Sequence, residues 1–489
     1  MKKKNCPLVV ILGPTASGKT KLAIDLARKF RGEIICADSR TVYKKLDIGT
    51  AKPTKEEQKK VSHYLLDIVE PGQQYSVAEF KKLAEQKIEE IWSRGKIPFL
   101  VGGTGLYIDA VIYGYDIPPV APDQKLRQKL EKLSRKDLLG KLKEKDPEFA
   151  TQVDKNNKRR LIRALEVIQK TGQKFSKLRS KKRPKYDLLI LGINIPRQKL
   201  LKKIDVRIDA RIKAGMIQEV EDLVKKYKID PVWLENLGLE YRWLTQYVLG
   251  RLPKDEAIQK LKFETHAFSR RQMTWFKRNK EIHWIKSRKE AQVIVQNFLI
   301  QLYKDLILEL TPAKEISEPA LNFITKAKKS QYQFGRHYSY SDESGKKIDW
   351  GIHAGVDATL KPRTSIRTIA DGLVVYSKFH PGISKDHRNW GNIIIIGHNV
   401  SGKVIYSLYG HLKRRLVEFG DKVKADQKIG EIAPRLTPEN GWWGISHLHF
   451  AIYKGPFRGL GLPGYARKEI PYSSLKYWQN PIEFFKKVV

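Results

Sequence analysis

Short apolar runs alternate with stretches of helical period over residues 8 to 115. The runs are LVVIL, EIICAD, HYLLDIV and IPFLVGG, with helix-like sequence between them. That alternation predicts parallel strands covered by helices. From about residue 118 to 185 the pattern changes to charged helical sequence, DQKLRQKLEKLSRKDLLGKLKEKDPEFA and then NNKRRLIRALEVIQKTG. YDLLILGINI returns to strand, and residues 197 to 308 read mostly as helix. The 118–185 block is therefore expected as a helical insertion into an α/β domain covering residues 1–310. Residues 311–345 lose periodicity and carry Pro, Ser and Lys, the composition of a linker. Residues 346–489 show short strands with glycine turns, GLVVYSKF, NIIIIGH, KVIYSLYGHL, KIGEIA and HLHFAIY, which predict an all-β domain. In HLHFAIY, strand alternation sends His447, His449, Ala451 and Tyr453 to one face and Leu448, Phe450 and Ile452 to the other.

A chain of 489 residues is too long for one ordinary core, so two or three domains are expected. The net charge of +41 favours a polyanionic partner, nucleic acid being the commonest, and roughly three quarters of the excess lies before residue 330. Two cysteines, Cys6 and Cys36, exclude a disulfide framework and fit a reduced, cytoplasmic setting. The start MKKKNCPLVVILG imitates an export signal, but its apolar run, Leu8 to Leu12, is too short and flows into a glycine loop. No run is long enough to span a membrane.

That loop is GPTASGKT, residues Gly13, Pro14, Thr15, Ala16, Ser17, Gly18, Lys19 and Thr20, and it fits the pattern G-x-x-x-x-G-K-[ST] between a strand and a helix. Backbone N–H groups and the helix N-terminus would hold phosphate oxygens, Lys19 would add a point charge, and the Thr20 hydroxyl could ligate Mg²⁺. The motif alone signals a phosphorylated ligand such as ATP. A metabolite or nucleoside kinase, with the C-terminal module acting only in binding, is the alternative reading, although a kinase of small molecules has no use for a basic helical insertion.

ADSRTVYKKLDIGTAKPT follows the second predicted strand, and HYLLDI, VGGTGLYIDAVIYG, RRLIRALEV and RRQMTWFKR come after it in that order. With the glycine loop, these segments over residues 6 to 288 resemble the tRNA dimethylallyltransferases, also called isopentenyl-tRNA transferases. The resemblance implies transfer of the dimethylallyl group of dimethylallyl diphosphate to the exocyclic N6 amine of the adenine 3′ of the anticodon. It implies that residues 13–20 with Mg²⁺ hold the diphosphate, that Asp38 is the carboxylate that takes the amine proton, and that Thr104 lies against substrate. The RNA contacts it implies are Asp38, Ser39, Arg40 and Thr41, then Arg159, Arg160 and Arg163 of the insertion. To these it adds the stretch holding Arg270, Arg271, Gln272, Trp275, Lys277 and Arg278, which interleaves charge with rings. The sequence departs from the family at Thr41, where many members have Gln, and at LGLEYR, where many have an I-G-Y-K-E type segment.

In the β module, HAGVD, LYGHL and HLHF supply His353, Asp357, His411, His447 and His449. With DGLVV, GNIIIIGH and GDKVKADQKIG, these resemble the lysostaphin/LytM-type zinc endopeptidases. The resemblance implies Zn²⁺ on His353, Asp357 and His449. It makes His411 and His447 catalytic, and it makes the substrate a peptide, of the kind found in peptidoglycan cross-links outside the cytoplasm. KPRTSI, in place of a glycine-led turn, and the lead-in PENGWWGIS are its departures.

Overall fold

The LVVIL run becomes the middle of a parallel sheet because both of its faces are apolar. In the computed structural model, which describes residues 6–115, 123–177, 186–310, 312, 333–341, 347–380, 389–455, 457, 465–466 and 474–488, this run lies in β1 (Cys6–Leu12). The other strands are β2 (Gly32–Ala37), β3 (His63–Tyr64), β4 (Ile97–Gly102), β5 (Tyr186–Ile193) and β6 (His283–Ile285), in the order β3-β2-β4-β1-β5-β6. All pairs are parallel, with Val10 opposite Leu100 on one side and Ile190 on the other.

Helices α1 (Lys19–Lys29), α2 (Lys55–Lys60), α3 (Val77–Ser93) and α4 (Gly105–Ile112) alternate with these strands. Ser76 and Glu79 close a capping box at the start of α3, each side chain accepting from the other's backbone N–H. The helix then buries Phe80, Ala84, Ile88 and Ile91, one helical stripe, in the same core as Leu8, Val10 and Leu12. Each such large side chain contributes about 1.5–3 kcal/mol by leaving water.

The inserted block is helical as expected: α5 (Gln124–Glu131), α6 (Arg135–Lys145), α7 (Pro147–Gln152) and α8 (Lys158–Thr171) enclose their own small core of Leu138, Leu142, Phe149, Leu161 and Leu165. The expected ends of that block, 118 and 178–185, lie outside the described residues. After β5 come α9 (Arg197–Lys213), α10 (Met216–Glu221), α11 (Pro231–Leu237), α12 (Leu239–Val248), α13 (Lys254–Phe276) and, beyond β6, α14 (Arg288–Leu308).

The chain divides into two compact units, residues 1–291 and 292–489. The division falls inside α14, not at 310. The second unit is antiparallel. It has β7 (His337–Ser341), β8 (Lys347–His353), β9 (Val356–Thr359), β10 (Ser365–Arg367), β11 (Gly372–His380), β12 (Gly391–Val400), β13 (Lys403–Arg415), β14 (Lys422–Val423), β15 (Lys428–Ile432) and β16 (His447–Tyr453). The main sheet runs β10-β15-β13-β12-β11-β14, and β16 inserts between β13 and β9.

Two expectations change. HYLLDIV shrinks to a two-residue strand because Leu65 and Asp67 take left-handed backbone and turn the chain away. The expected linker ends early, since residues 337–341 pair with β8. Most of its remainder lies outside the described residues.

Two candidate active sites

Strand ends carry the first site. Gly13–Gly18 leaves β1 and turns into α1, with Ala16 and Gly18 in left-handed backbone. The loop borders a cavity of about 420 Å³ at the ends of β2 and β4. Residues 15–20 line it, joined by Asp38, Thr41, Gly102 and Gly103. Ser17 Oγ is buried without a hydrogen-bond partner, the donor a phosphate oxygen would satisfy. Lys19 Nζ donates to the Pro14 carbonyl at 2.7 Å. The half-buried Lys19 ammonium is pushed down to about 7, first by loss of water and then by Arg207, with Asp38 pulling the other way.

Asp38 follows β2 directly, and its Oδ1 accepts from the Arg40 N–H at 2.8 Å. Thr104 Oγ1 accepts from the Ser39 N–H at 3.3 Å, so the two expected catalytic positions are neighbours. Gln272 faces inward, toward the glycine loop. It is buried, it accepts from the Thr15 N–H at 2.9 Å, and it donates to the Gly103 carbonyl at 2.9 Å, tying α13 to the glycine loop and to β4's end. A Cβ at Gly103 would lie 2.5 Å from Gln272 Nε2 and would push that amide off its bonds.

The remaining expected RNA contacts separate into two groups. Arg159, Arg270, Arg271, Lys277 and Arg278 are exposed, and Arg160 and Arg278 lie over the Trp275 ring at 5.9 and 5.8 Å. Arg163 is instead engaged by Glu166, a fully buried carboxylate that also pairs with Arg127. Arg40 donates to the Leu237 carbonyl, and Thr41 is buried in the cavity wall. Sequence reading did not single out Lys203, Arg207 and His63, which also line the cavity. Lys203 and Arg207 lie four apart on α9, far along the chain from the loop they face, and only that spacing hinted at a shared side.

Register builds the second site. β16 pairs with β9 so that His449 faces Asp357 and His447 faces Thr359. The faces are as expected: Leu448, Phe450 and Ile452 enter the core. His449 Nδ1 lies 2.8 Å from Asp357 Oδ1 and 3.1 Å from His353 Nε2, and His353 Nε2 lies 3.4 Å from Asp357 Oδ1. Three buried ligand atoms, two nitrogens and a carboxylate oxygen, thus converge. Tetrahedral zinc ligands, each about 2.0–2.1 Å from the ion, stand about 3.3 Å apart, so the triangle fits one face of such an ion. Burial alone would raise the Asp357 carboxyl, but His353 and His447 outweigh it and hold it well below its ordinary range. Burial pushes His449 down to about 4, and it lowers His411 and His447 as well.

His411 sits at left-handed φ (63°) in β13, its ring centre 4.4 Å from that of His447. Its Nδ1 hydrogen-bonds the Asn440 carbonyl, and His447 Nδ1 the Ile445 carbonyl, while His447 Nε2 stands 3.8 Å from Asp357 Oδ2. Trp390 stacks on His411, and Trp443 meets His447 edge-on.

With this geometry in place, comparisons with known proteins agree. Residues 41–279 match the family model IPP transferase, residues 6–75 Isopentenyl transferase, and residues 351–459 Peptidase family M23. A tRNA dimethylallyltransferase of Roseiflexus sp. (strain RS-1) is 46% identical over 277 residues, 56% of this chain and 90% of that protein. That of Acetivibrio thermocellus is 43% identical over 286 residues, 57% and 91%. A solved structure of a eukaryotic dimethylallyltransferase acting on tRNA is similar with 25% identity and a TM-score of 0.50, covering 70% of this chain and 91% of that one. None of these matches favours the kinase alternative. Among the described residues, no helix is long and apolar enough to cross a membrane. The chain belongs to the tRNA dimethylallyltransferase family and carries, over residues 351–459, a region matching the Peptidase family M23 model.

Proposed function

We propose that the first site transfers the dimethylallyl group from dimethylallyl diphosphate to N6 of the adenine 3′ of the anticodon in tRNA. The carrying observation is one cavity lined by both the glycine loop and Asp38. Residues 13–20 bind the diphosphate, with Lys19, Lys203 and Arg207 balancing its charge. Asp38 accepts the amine proton as the N–C bond forms and the C–O bond to diphosphate breaks. Thr104 holds the Asp38–Ser39 turn against the substrate. Mg²⁺, held through Thr20 and the diphosphate, would supply further charge neutralisation of the leaving group. Arg159, Arg160, Arg270, Arg271, Trp275, Lys277 and Arg278 offer charge and a stacking ring to the RNA, whose target base must leave its stack at a cost of a few kcal/mol. This reaction belongs to the cytoplasm. The test is incubation of the purified chain with dimethylallyl diphosphate, Mg²⁺ and tRNA bearing adenine at that position. Absence of prenylated adenosine in the nuclease digest sinks the reading.

The convergence of His353, Asp357 and His449 supports a second site that holds Zn²⁺ and cleaves peptide bonds, peptidoglycan-type peptides included. Zinc would supply Lewis acidity, which brings a water's pKa to about 7. His411 and His447 would orient the attacking water, accept its proton and stabilise the oxyanion of the peptide. Glycyl-peptide cleavage by the zinc-loaded chain tests this.

A further inference from the structure

One wall of the phosphate cavity is held in place by a carboxylate that does not itself line the cavity. Thr50, Ala51 and Pro53 form part of that wall. The chain just before them is gripped by Glu219 of α10. Its Oε2 accepts from the N–H groups of Asp47 (2.8 Å) and Ile48 (2.6 Å), and its Oε1 from the Gly49 N–H and the Tyr241 hydroxyl (both 2.9 Å). Three successive backbone donors thus converge on one anion, the arrangement a nest offers to a phosphate, here filled from within the protein. Arg211 grips the same peptides by their other ends, donating to the Ile48 and Gly49 carbonyls at 3.3 and 2.7 Å and to Glu240. Gly49 has no room for a side chain, because a Cβ would lie 2.5 Å from Tyr241 Oη. Lys52 turns the opposite way from the wall, and its buried ammonium donates to the Tyr43 carbonyl and to Asp47 and Asp67.

We propose that Glu219, braced by Tyr241 and assisted by Arg211 on the carbonyls of the same backbone stretch, is a positioning residue that fixes the 50–53 wall and thereby sets affinity for the diphosphate end of the substrate. The inference rests on the cavity's being the diphosphate site. A glutamine is a poor substitute, since its NH₂ would face backbone donors and leave one or two of them unpaired.

The experiment uses the full-length chain and its Glu219→Gln and Tyr241→Phe variants, at a temperature where circular dichroism shows all three folded. Glu219→Gln is expected to raise KM for dimethylallyl diphosphate about tenfold or more while kcat and KM for tRNA stay within about threefold. Tyr241→Phe, which removes one bond, is expected to raise the same KM by about two- to fivefold and serves if Glu219→Gln does not fold. Inorganic pyrophosphate binding, measured by calorimetry, should weaken in parallel. Unchanged diphosphate KM and pyrophosphate affinity in a folded variant overturn the proposal, as does a loss confined to kcat or to tRNA binding. A wild-type chain that binds pyrophosphate but forms no prenylated tRNA overturns the prenyl-transfer reading instead, and the pyrophosphate comparison among variants still decides the role of Glu219.

Discussion

The phosphate-loop cavity draws its lining from residues as far apart as Thr15 and Gln272, whereas the histidine cluster is set largely by strand register between β9, β13 and β16. The first site is open, with its cations spread over a glycine loop and α9. The second is closed, its three convergent ligand atoms at hydrogen-bond spacing and its residues buried. The contrast suits the ligand proposed for each site. A diphosphate and a nucleobase need room and long-range assembly, while a metal ion needs only three or four atoms, here offered by the paired strands β9 and β16 and by His353 at the end of β8.

The sharpest way to break this comparison is at Asp38. Asp38→Asn is expected to lower the prenyl-transfer kcat by about 10²–10⁴ while pyrophosphate affinity stays within about threefold, because chemistry and phosphate binding lie on different parts of the cavity. Parallel loss of both, seen in single-turnover kinetics and calorimetry, would merge the two roles. In the compact site no such separation is expected among the ligands. His353→Ala should cost at least about 100-fold in zinc affinity, above the range for outer partners, whereas His411→Ala should keep zinc and lose peptide cleavage. Metal analysis by mass spectrometry after dialysis against a chelator reads this directly.

A smaller effect comes from pH. Lys19 titrates near 7 in the unliganded cavity, far below an ordinary lysine, and the diphosphate favours its charged form. Binding therefore takes up a proton above pH 7. Pyrophosphate affinity should be full below that point and fall by up to about tenfold per unit as pH rises toward 9. A flat profile, or one that climbs, would remove Lys19 from the anion's contacts. The smallest effect tests a largely buried carboxylate of the β module. Arg414 and Lys428 hold the Glu431 carboxyl down to about 2, so its stabilising contribution is present above pH 4.5 and is lost as pH falls from there through 2. Glu431→Gln should shift the urea midpoint slightly at pH 6, and the difference from wild type should vanish by pH 2.

The two sites also differ in how far they could be read from sequence. His447 and His449 could be placed on one face from alternation alone, because strand period is 2 and their neighbours are apolar. The resemblance groups Gln272 with the RNA contacts of its stretch, yet Leu261, Thr265, Ser269, Gln272 and Phe276 form one buried stripe of α13 while Arg270, Arg271, Lys277 and Arg278 stay outside. The 3.6-residue period held that information, hidden because polar Thr, Ser and Gln occupy the inner face. The surroundings of Arg163 were hidden for a similar reason. Its partner, Glu166, reads as a surface residue until four inserted helices close around it.

Local sequence was enough for the order of strands and helices, the glycine loop before α1, the acid after β2 and the shared face of His447 and His449, since each depends on local period or on side chains a few positions apart. Tertiary structure alone decided which distant groups share a charge. Arg207 beside Lys19, Gln272 on the glycine loop and Glu219 on the 47–49 backbone all join segments more than 150 residues apart. No local pattern encodes such pairings. They arise when burial of apolar faces brings helices α9, α10 and α13 against the strand ends, and the polar groups left there must find partners.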